Sequence, residues 1–160
     1  HETTVNLIGN GIHVLLGHPE QSERWRNDPD LDAAAVDELL RFIAPVQFSR
    51  RITTSDLDIG GHTIPEGSFV LTCLASANRD PDFWGPTADQ LDLGREGSGQ
   101  HVSFGSGAHY CLGASLAKLE GQIAIGSFIR RFPQAAVVGE PEWNGRINLR
   151  GLDTLMVDLG

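Results

Sequence analysis

The residues of this chain best suited to chemistry lie in one run, Phe104-Gly105-Ser106-Gly107-Ala108-His109-Tyr110-Cys111-Leu112-Gly113. The run delivers a single cysteine, on a glycine-bent loop, to the start of a stretch with an apolar stripe at helical spacing. The first turn of a helix leaves N–H groups free and carries a partial positive charge of roughly +0.5. Both favour a thiolate over a thiol. A thiolate in an apolar, glycine-rich cradle suits a soft metal or a haem iron. The bland reading of Cys111 is a structural cysteine in a glycine-rich turn. A zinc-type site drawn from Cys73, His101, His109 and Cys111 fits poorly, because such sites use close ligand pairs and His109-x-Cys111 is too tight for both side chains to reach one ion.

Two smaller groupings precede this run. Glu38 and Arg41 stand three apart in Asp37-Glu38-Leu39-Leu40-Arg41, share a helix face and can pair. An exposed pair at that spacing is worth only ~0.3–0.5 kcal/mol. The first residues, His1-Glu2-Thr3-Thr4, set an acid beside a hydroxyl. Read as a helix start, Thr would cap and Glu would sit in the first turn.

In this order the three groupings resemble the cytochrome P450 family. The spacing Phe-x-x-Gly-x-His-x-Cys-x-Gly resembles its haem-binding loop. Glu38-x-x-Arg41 resembles the motif that braces the core near that loop. His1-Glu2-Thr3-Thr4 resembles the second part of the oxygen-activation motif Ala-Gly-x-Glu-Thr-Thr, which lies mid-helix on the distal side of the haem. The resemblance runs through all 160 residues and matches only the C-terminal portion of a soluble, bacterial-type member. With no Ala-Gly pair and no initiator Met, the chain is expected to be a fragment that starts inside the oxygen-activation helix.

The resemblance implies a role for each residue. Cys111 is the axial ligand to the iron of haem b (iron protoporphyrin IX), and Phe104 packs beside its sulfur. Gly105 and Gly107 shape the cradle, and Gly113 leaves room for the porphyrin. His109 and Arg51 partner the haem propionates, with His101 behind them and Arg50 one register step from Arg51. Glu2 and Thr3 are the acid and hydroxyl that relay protons. Val46, Phe48 and Leu152, from the segment 45–48 and the turn Arg150-Gly151-Leu152, line an apolar substrate pocket; ordinary core packing is the alternative for each. Many family members complete the Glu-x-x-Arg pair with a further arginine, and the aligned position here is Gln90. Arg79 reads as a structural turn residue that caps nearby carbonyls.

The activity implied for the intact enzyme is that of a haem-thiolate monooxygenase, inserting one oxygen atom from O2 into a small apolar organic substrate, with this fragment expected to be inactive on its own. Its electrons would come from a ferredoxin or flavoprotein, with Lys118, Arg130 and Arg131 available to dock an acidic partner. The alternative is a catalytically silent fragment, haem-free and self-associating to cover an apolar face.

Composition narrows the field further. With 21 acidic and 12 basic residues, the net charge of −9 leaves no basic stripe for nucleic acid. No apolar run approaches the ~20 residues that span a bilayer. Two cysteines far apart in sequence form no disulfide framework, and the cytoplasm is the expected compartment.

The elements that must hold these residues read as mainly α with small antiparallel β-sheets, the C-terminal part of the family fold. Residues 1–44 read as helices, with Val5, Ile8, Ile12 and Leu15 at helical spacing, a short helix from Pro19 to Arg26, and a third from Leu31 to Ala44. Residues 46–71 read as β-strands, punctuated by Gly60-Gly61 and Pro65-Glu66-Gly67. A short helix and an irregular meander fill 72–100, and the haem-thiolate loop 101–113. A long helix over 111–132 follows, stopped by Pro133, with Leu112, Leu116, Leu119 and Ile123 on one apolar edge and Ala117, Ala124 and Phe128 on the other. The tail, 135–160, reads as strands at 135–138, 147–149 and 155–159.

Overall fold

Apolar residues at helical spacing build the first element, α1 (Glu2–Leu16), which buries Leu7, Gly11, Val14 and Leu15. The computed structural model describes residues 1–160. A proline at the first helical position suits α2 (Pro19–Asn27), where its missing N–H would have no intrahelical partner anyway. A 3-10 turn at Pro29–Leu31 leads into α3 (Asp32–Phe42). That helix buries Ala35, Val36, Leu39 and Leu40, and with them the charged Glu38 and Arg41.

The chain then becomes extended. β1 (Phe48–Ile52), β2 (Leu57–Ile59), β3 (His62–Ile64) and β4 (Phe69–Cys73) form two nested antiparallel pairs. β2 pairs with β3 across Gly60-Gly61, whose φ angles of +57° and +79° are open to glycine at little cost. β1 pairs with β4 outside them, Phe48 opposite Cys73 and Ile52 opposite Phe69. Cys73 therefore ends a strand rather than lying in a helix. Two one-turn helices, α4 (Leu74–Ala77) and α5 (Pro81–Trp84), open the meander.

The last helix, α6 (Ala114–Arg131), begins after Cys111 and not at it. Gly113 is its N-cap, and the Cys111 carbonyl accepts from Ala114 N–H at 3.3 Å, so the cysteine sits just before the helix. In the tail, β5 (Ala136–Val137), β6 (Glu142–Trp143), β7 (Leu152–Thr154) and β8 (Val157–Asp158) pair antiparallel, β5 with β8 and β6 with β7. The strand expected at 147–149 reduces to a single bridge, Leu149 to Val46. Strands this short are set by whichever partner lies alongside, which periodicity cannot report.

The core lies where α6 crosses α1 and α3. Leu7, Leu15, Val36, Leu39 and Ile125 are all fully buried there, together with Trp25 of α2 and Leu93 of the meander. Glycine lets these helices close. A Cβ on Gly11 would stand 2.8 Å from Ile125 Cδ1, and one on Gly121 would stand 3.2 Å from Leu7 Cδ2 and Val36 Cγ1. The face of α6 that is covered is therefore Ala114, Gly121, Ile125 and Ile129. The expected apolar edge, Leu112, Leu116, Leu119 and Ile123, is exposed, Leu112 fully so.

Candidate functional site

An open cleft of about 1040 Å³ lies between the first turns of α1, the segment 45–51, the cysteine loop and the outer face of α6. Thr3, Val5 and Ile8 line it from α1, and Leu116, Glu120 and Ile123 from α6. Pro45, Val46, Phe48 and Arg51 contribute from the β1 side. The loop adds Phe104, Gly105, His109, Cys111 and Gly113.

The loop folds back on its own backbone. Cys111 N–H donates to the Phe104 carbonyl at 3.0 Å, Gly105 N–H to Val102 at 2.8 Å and Tyr110 N–H to Gly107 at 3.0 Å. Gly105 and Gly107 both take a φ of +73°, which only glycine adopts without strain. The Phe104 ring is half-buried between His101, 5.6 Å away, and Tyr110, 6.2 Å away. Cys73 and Cys111 are both free and exposed.

Behind the loop is a buried ionic brace. Arg41 places Nε 2.7 Å from Glu38 Oε2 and Nη2 2.9 Å from Oε1, with both side chains fully buried. Its remaining donors reach the carbonyls of Asn78 and Ala88, both at 2.7 Å, and of Gln90 at 3.0 Å. The further arginine of this brace is Arg95, whose Nε stands 3.2 Å from Glu38 Oε1. Gln90, the position aligned with it from sequence, instead offers its carbonyl to Arg41 and Arg95, and its own side chain takes no part. The irregular meander has no period to hold an alignment in register. The available signal was that Arg95 is the one Lys or Arg between Arg79 and Lys118. Arg79 donates to the Phe42 carbonyl through Nε (3.1 Å) and Nη2 (2.6 Å), a helix-end cap.

Several candidate residues lie off the cleft wall. His101, expected behind the propionate partners, is buried and turned towards α3. Its Nδ1 accepts the Ser103 N–H at 3.2 Å and its Nε2 lies 3.5 Å from Asp37 Oδ1, so both ring nitrogens face away from the cleft. Asp37 also holds Lys118 Nζ at 2.7 Å. Burial pushes the Asp37 carboxyl up, but hydrogen bonding from His101 and Lys118 outweighs it and leaves the group below the ordinary carboxylate range. Glu2 points to an exposed ion pair with Arg146, while its neighbour Thr3 is on the wall. Leu152 pairs opposite Trp143, because Asn10 Nδ2 grips the Arg150 carbonyl at 3.0 Å and draws that turn onto α1. Gly107 shapes the loop without lining the cleft, and Arg50 is likewise outside it. Lys118 and Arg130 are tied to Asp37 and Asp32 rather than free for a partner.

The cleft thus gathers Cys111, Arg51, His109 and Thr3 among apolar walls. A soft sulfur donor, two groups that can meet carboxylates, and a hydroxyl within an apolar enclosure fit an iron porphyrin bearing two propionates. No group of three or more His, Cys, Asp or Glu side chains is placed to hold a metal ion by itself. No helix is long and apolar enough to cross a membrane.

The model of the family described as Cytochrome P450 matches residues 12–144. A relative named "Vitamin D(3) 25-hydroxylase", from Pseudonocardia autotrophica, is 49% identical over 164 residues, spanning 100% of this chain and 40% of its own length. The "Biotin biosynthesis cytochrome P450" of Bacillus subtilis is 45% identical over 159 residues, 98% of this chain and 40% of its own. The crystal structure of P450BioI with a fatty-acyl-ligated acyl carrier protein superposes with a TM-score of 0.94 at 44% identity, covering 98% of this chain and 41% of that one. The tirandamycin C-bound monooxygenase TamI gives a TM-score of 0.94 at 44% identity, covering 100% and 41%. The chain spans about two fifths of the length of these relatives.

Proposed function

The chain belongs to the cytochrome P450 family, and on that premise we propose that it carries the thiolate-bearing part of a haem monooxygenase acting on an apolar organic substrate. The observation that carries this reading is the shared wall: Cys111, Arg51, His109 and Thr3 all line one apolar cleft. Relatives named as hydroxylases of vitamin D(3) and of 6-deoxyerythronolide B support a substrate of that class. The free thiols Cys73 and Cys111 suit a reducing, cytoplasmic setting.

Haem b would be held through Cys111 at the iron and through Arg51 and His109 at the propionates. Bound there, it supplies the O2 activation that inserts one oxygen atom into the substrate, drawing electrons from a ferredoxin or flavoprotein. The backbone turn from Phe104 to Cys111 fixes where the sulfur emerges, and the two positive-φ glycines keep that turn tight. Gly113, with no side chain, leaves the sulfur's neighbourhood open; an added Cβ would come within 4.0 Å of Cys111 Sγ. Thr3 presents a hydroxyl to the cleft and can pass a proton inward, with Glu2 beside it at the solvent side. Val46 and Phe48 exclude water on the substrate side. Of the three cations considered for partner docking, Arg131 has no carboxylate within ion-pair distance.

The test is the difference spectrum of the reduced protein with carbon monoxide. A long-wavelength Soret band, lost in Cys111→Ala, is expected. A band typical of histidine ligation would refute the assignment of Cys111.

A second reading is favoured by the exposed row Leu112, Leu116, Leu119 and Ile123 on α6. Contiguous apolar side chains of that kind seek cover. A haem-free chain would find it by pairing with a second copy, and would be catalytically silent. Size-exclusion mass together with haem content separates the two: a haem-replete monomer with turnover removes this reading.

A further inference from the structure

We propose that Asn78 is a positioning residue, fastening the cysteine loop to the buried Glu38–Arg41 brace. The inference rests on the reading of that loop as the thiolate ligand's support, and it concerns a residue that sequence reasoning passed over. Asn78 is completely buried at the end of α4 and uses every polar atom it has. Its carbonyl accepts from Arg41 Nη1 at 2.7 Å. Its side-chain Oδ1 accepts the Val102 N–H at 2.8 Å, and its Nδ2 donates to Ser103 Oγ at 2.7 Å. Ser103 Oγ in turn donates to the Leu40 carbonyl of α3 at 2.6 Å.

The polarity of this set is determined. The Val102 N–H needs an acceptor, so the amide oxygen faces it. The Ser103 hydroxyl proton is given to Leu40, so Ser103 must accept, and the amide nitrogen faces it. One planar amide thus holds two successive residues of the loop, and one carbonyl of the same residue holds Arg41. From there the hold passes along the loop backbone. Val102 accepts from Gly105 N–H, and Phe104 accepts from Cys111 N–H. Asn78 thus joins the brace to the loop that carries Cys111 in two steps, through Arg41 on one side and Val102 and Ser103 on the other. Aspartate keeps the acceptor for Val102 but removes the donor to Ser103, and forces the serine proton to choose between the new carboxylate and Leu40.

The experiment compares Asn78→Ala, Asn78→Asp and Ser103→Ala with Arg95→Ala, which loosens the brace from its far side without touching the loop. Amide hydrogen exchange is read at Gly105 and Cys111, neither of which hydrogen-bonds to Asn78, against amides of α3. Asn78→Ala is expected to speed exchange at both loop amides roughly tenfold or more, the scale set by losing buried hydrogen bonds. Asn78→Asp and Ser103→Ala should give smaller increases, and Arg95→Ala none specific to the loop. In haem-loaded protein, Asn78→Ala should lower the fraction showing the thiolate-type carbon monoxide band several-fold, while Arg95→Ala keeps it. The proposal is overturned if Gly105 and Cys111 exchange as in the unaltered protein, or if Arg95→Ala matches Asn78→Ala. If Asn78→Ala does not fold, Ser103→Ala decides by the same amides. A parent protein lacking the thiolate band refutes the ligand reading, and the exchange data still judge the clasp.

Discussion

Arg41→Lys tests the buried brace most directly, because the guanidinium's donors are fully committed. An arginine carries five N–H groups in a fixed fork. Here they reach both Glu38 oxygens, at 2.7 and 2.9 Å, and the carbonyls of Asn78, Ala88 and Gln90, at 2.7, 2.7 and 3.0 Å. A lysine ammonium keeps the charge but is a point donor on a flexible stem, and cannot serve acceptors on three sides. Gln90 retains Arg95 as a donor, which softens its loss. Two or more bonds to a charged donor should still vanish, each worth ~1.5–3 kcal/mol. The expected cost is therefore ~3–6 kcal/mol. That is about ten times the value of the same i,i+3 pairing on a solvated surface. Urea unfolding followed by far-ultraviolet circular dichroism measures it. With a slope of ~1–3 kcal/mol/M, the midpoint should fall by at least ~1 M. A loss below about 1 kcal/mol would mean that lysine or water satisfies those carbonyls, and the argument from donor count would be wrong.

Gln90→Ala should change stability by no more than ~0.5 kcal/mol, since only its carbonyl joins the brace, whereas Arg95→Ala should cost ~1–3 kcal/mol. Equal losses in urea would restore Gln90 as a brace residue. The folded Asp37 carboxyl lies below its unfolded value, so its contribution is complete above about pH 4 and drains away as the pH falls through the folded value. Asp37→Asn should therefore destabilise at pH 7, with the gap narrowing as the pH falls below the ordinary carboxylate range; a gap that did not narrow on acidification would contradict the sign. Gly11→Ala should cost ~1–3 kcal/mol, because its Cβ would meet Ile125 and Leu39. Gly9→Ala, with nothing within 4 Å, should gain ~0.5–1 kcal/mol from helix propensity, and thermal midpoints that moved the same way for both would refute the packing argument.

The helices were legible because α1 and α3 keep strict apolar spacing over several turns, and the nested hairpin because Gly60-Gly61 and Gly67 punctuate β-branched runs. The start of α6 was misread because Leu112 continues the apolar period outward, although its side chain is fully exposed and the helix begins at Ala114. His101 was assigned by its place beside the loop. Its orientation depends on Asp37, a residue of another helix whose facing direction no local pattern contains. Arg95 and Asn78 escaped notice for a related reason: Arg95 meets Glu38 from far along the chain and otherwise holds the Thr87 and Gln90 carbonyls, while Asn78 meets Arg41 through its own carbonyl and Val102 through a backbone N–H, and any sequence supplies main-chain groups. Residue types announce a pair such as Glu38 and Arg41, but a brace closed through main-chain oxygens becomes visible only when the chain is folded.

The two faces of α6 show how the cleft comes to be apolar. Both stripes repeat at helical spacing, and periodicity alone cannot choose between them. Side-chain size does. Ala114, Gly121 and Gly126 are small enough for neighbouring structure to approach the helix closely, and Gly121 in particular admits Leu7 and Val36. Close approach is worth more than burying an equal number of larger side chains at a distance, because dispersion contacts fall off steeply with a gap of even an ångström. The small-residue face is therefore taken by the core, and the leucine and isoleucine face is left outward. Leu116 and Ile123 of that face line the cleft beside Cys111. The packing that stabilises the helix thus also determines which apolar surface lines the cleft beside the sulfur.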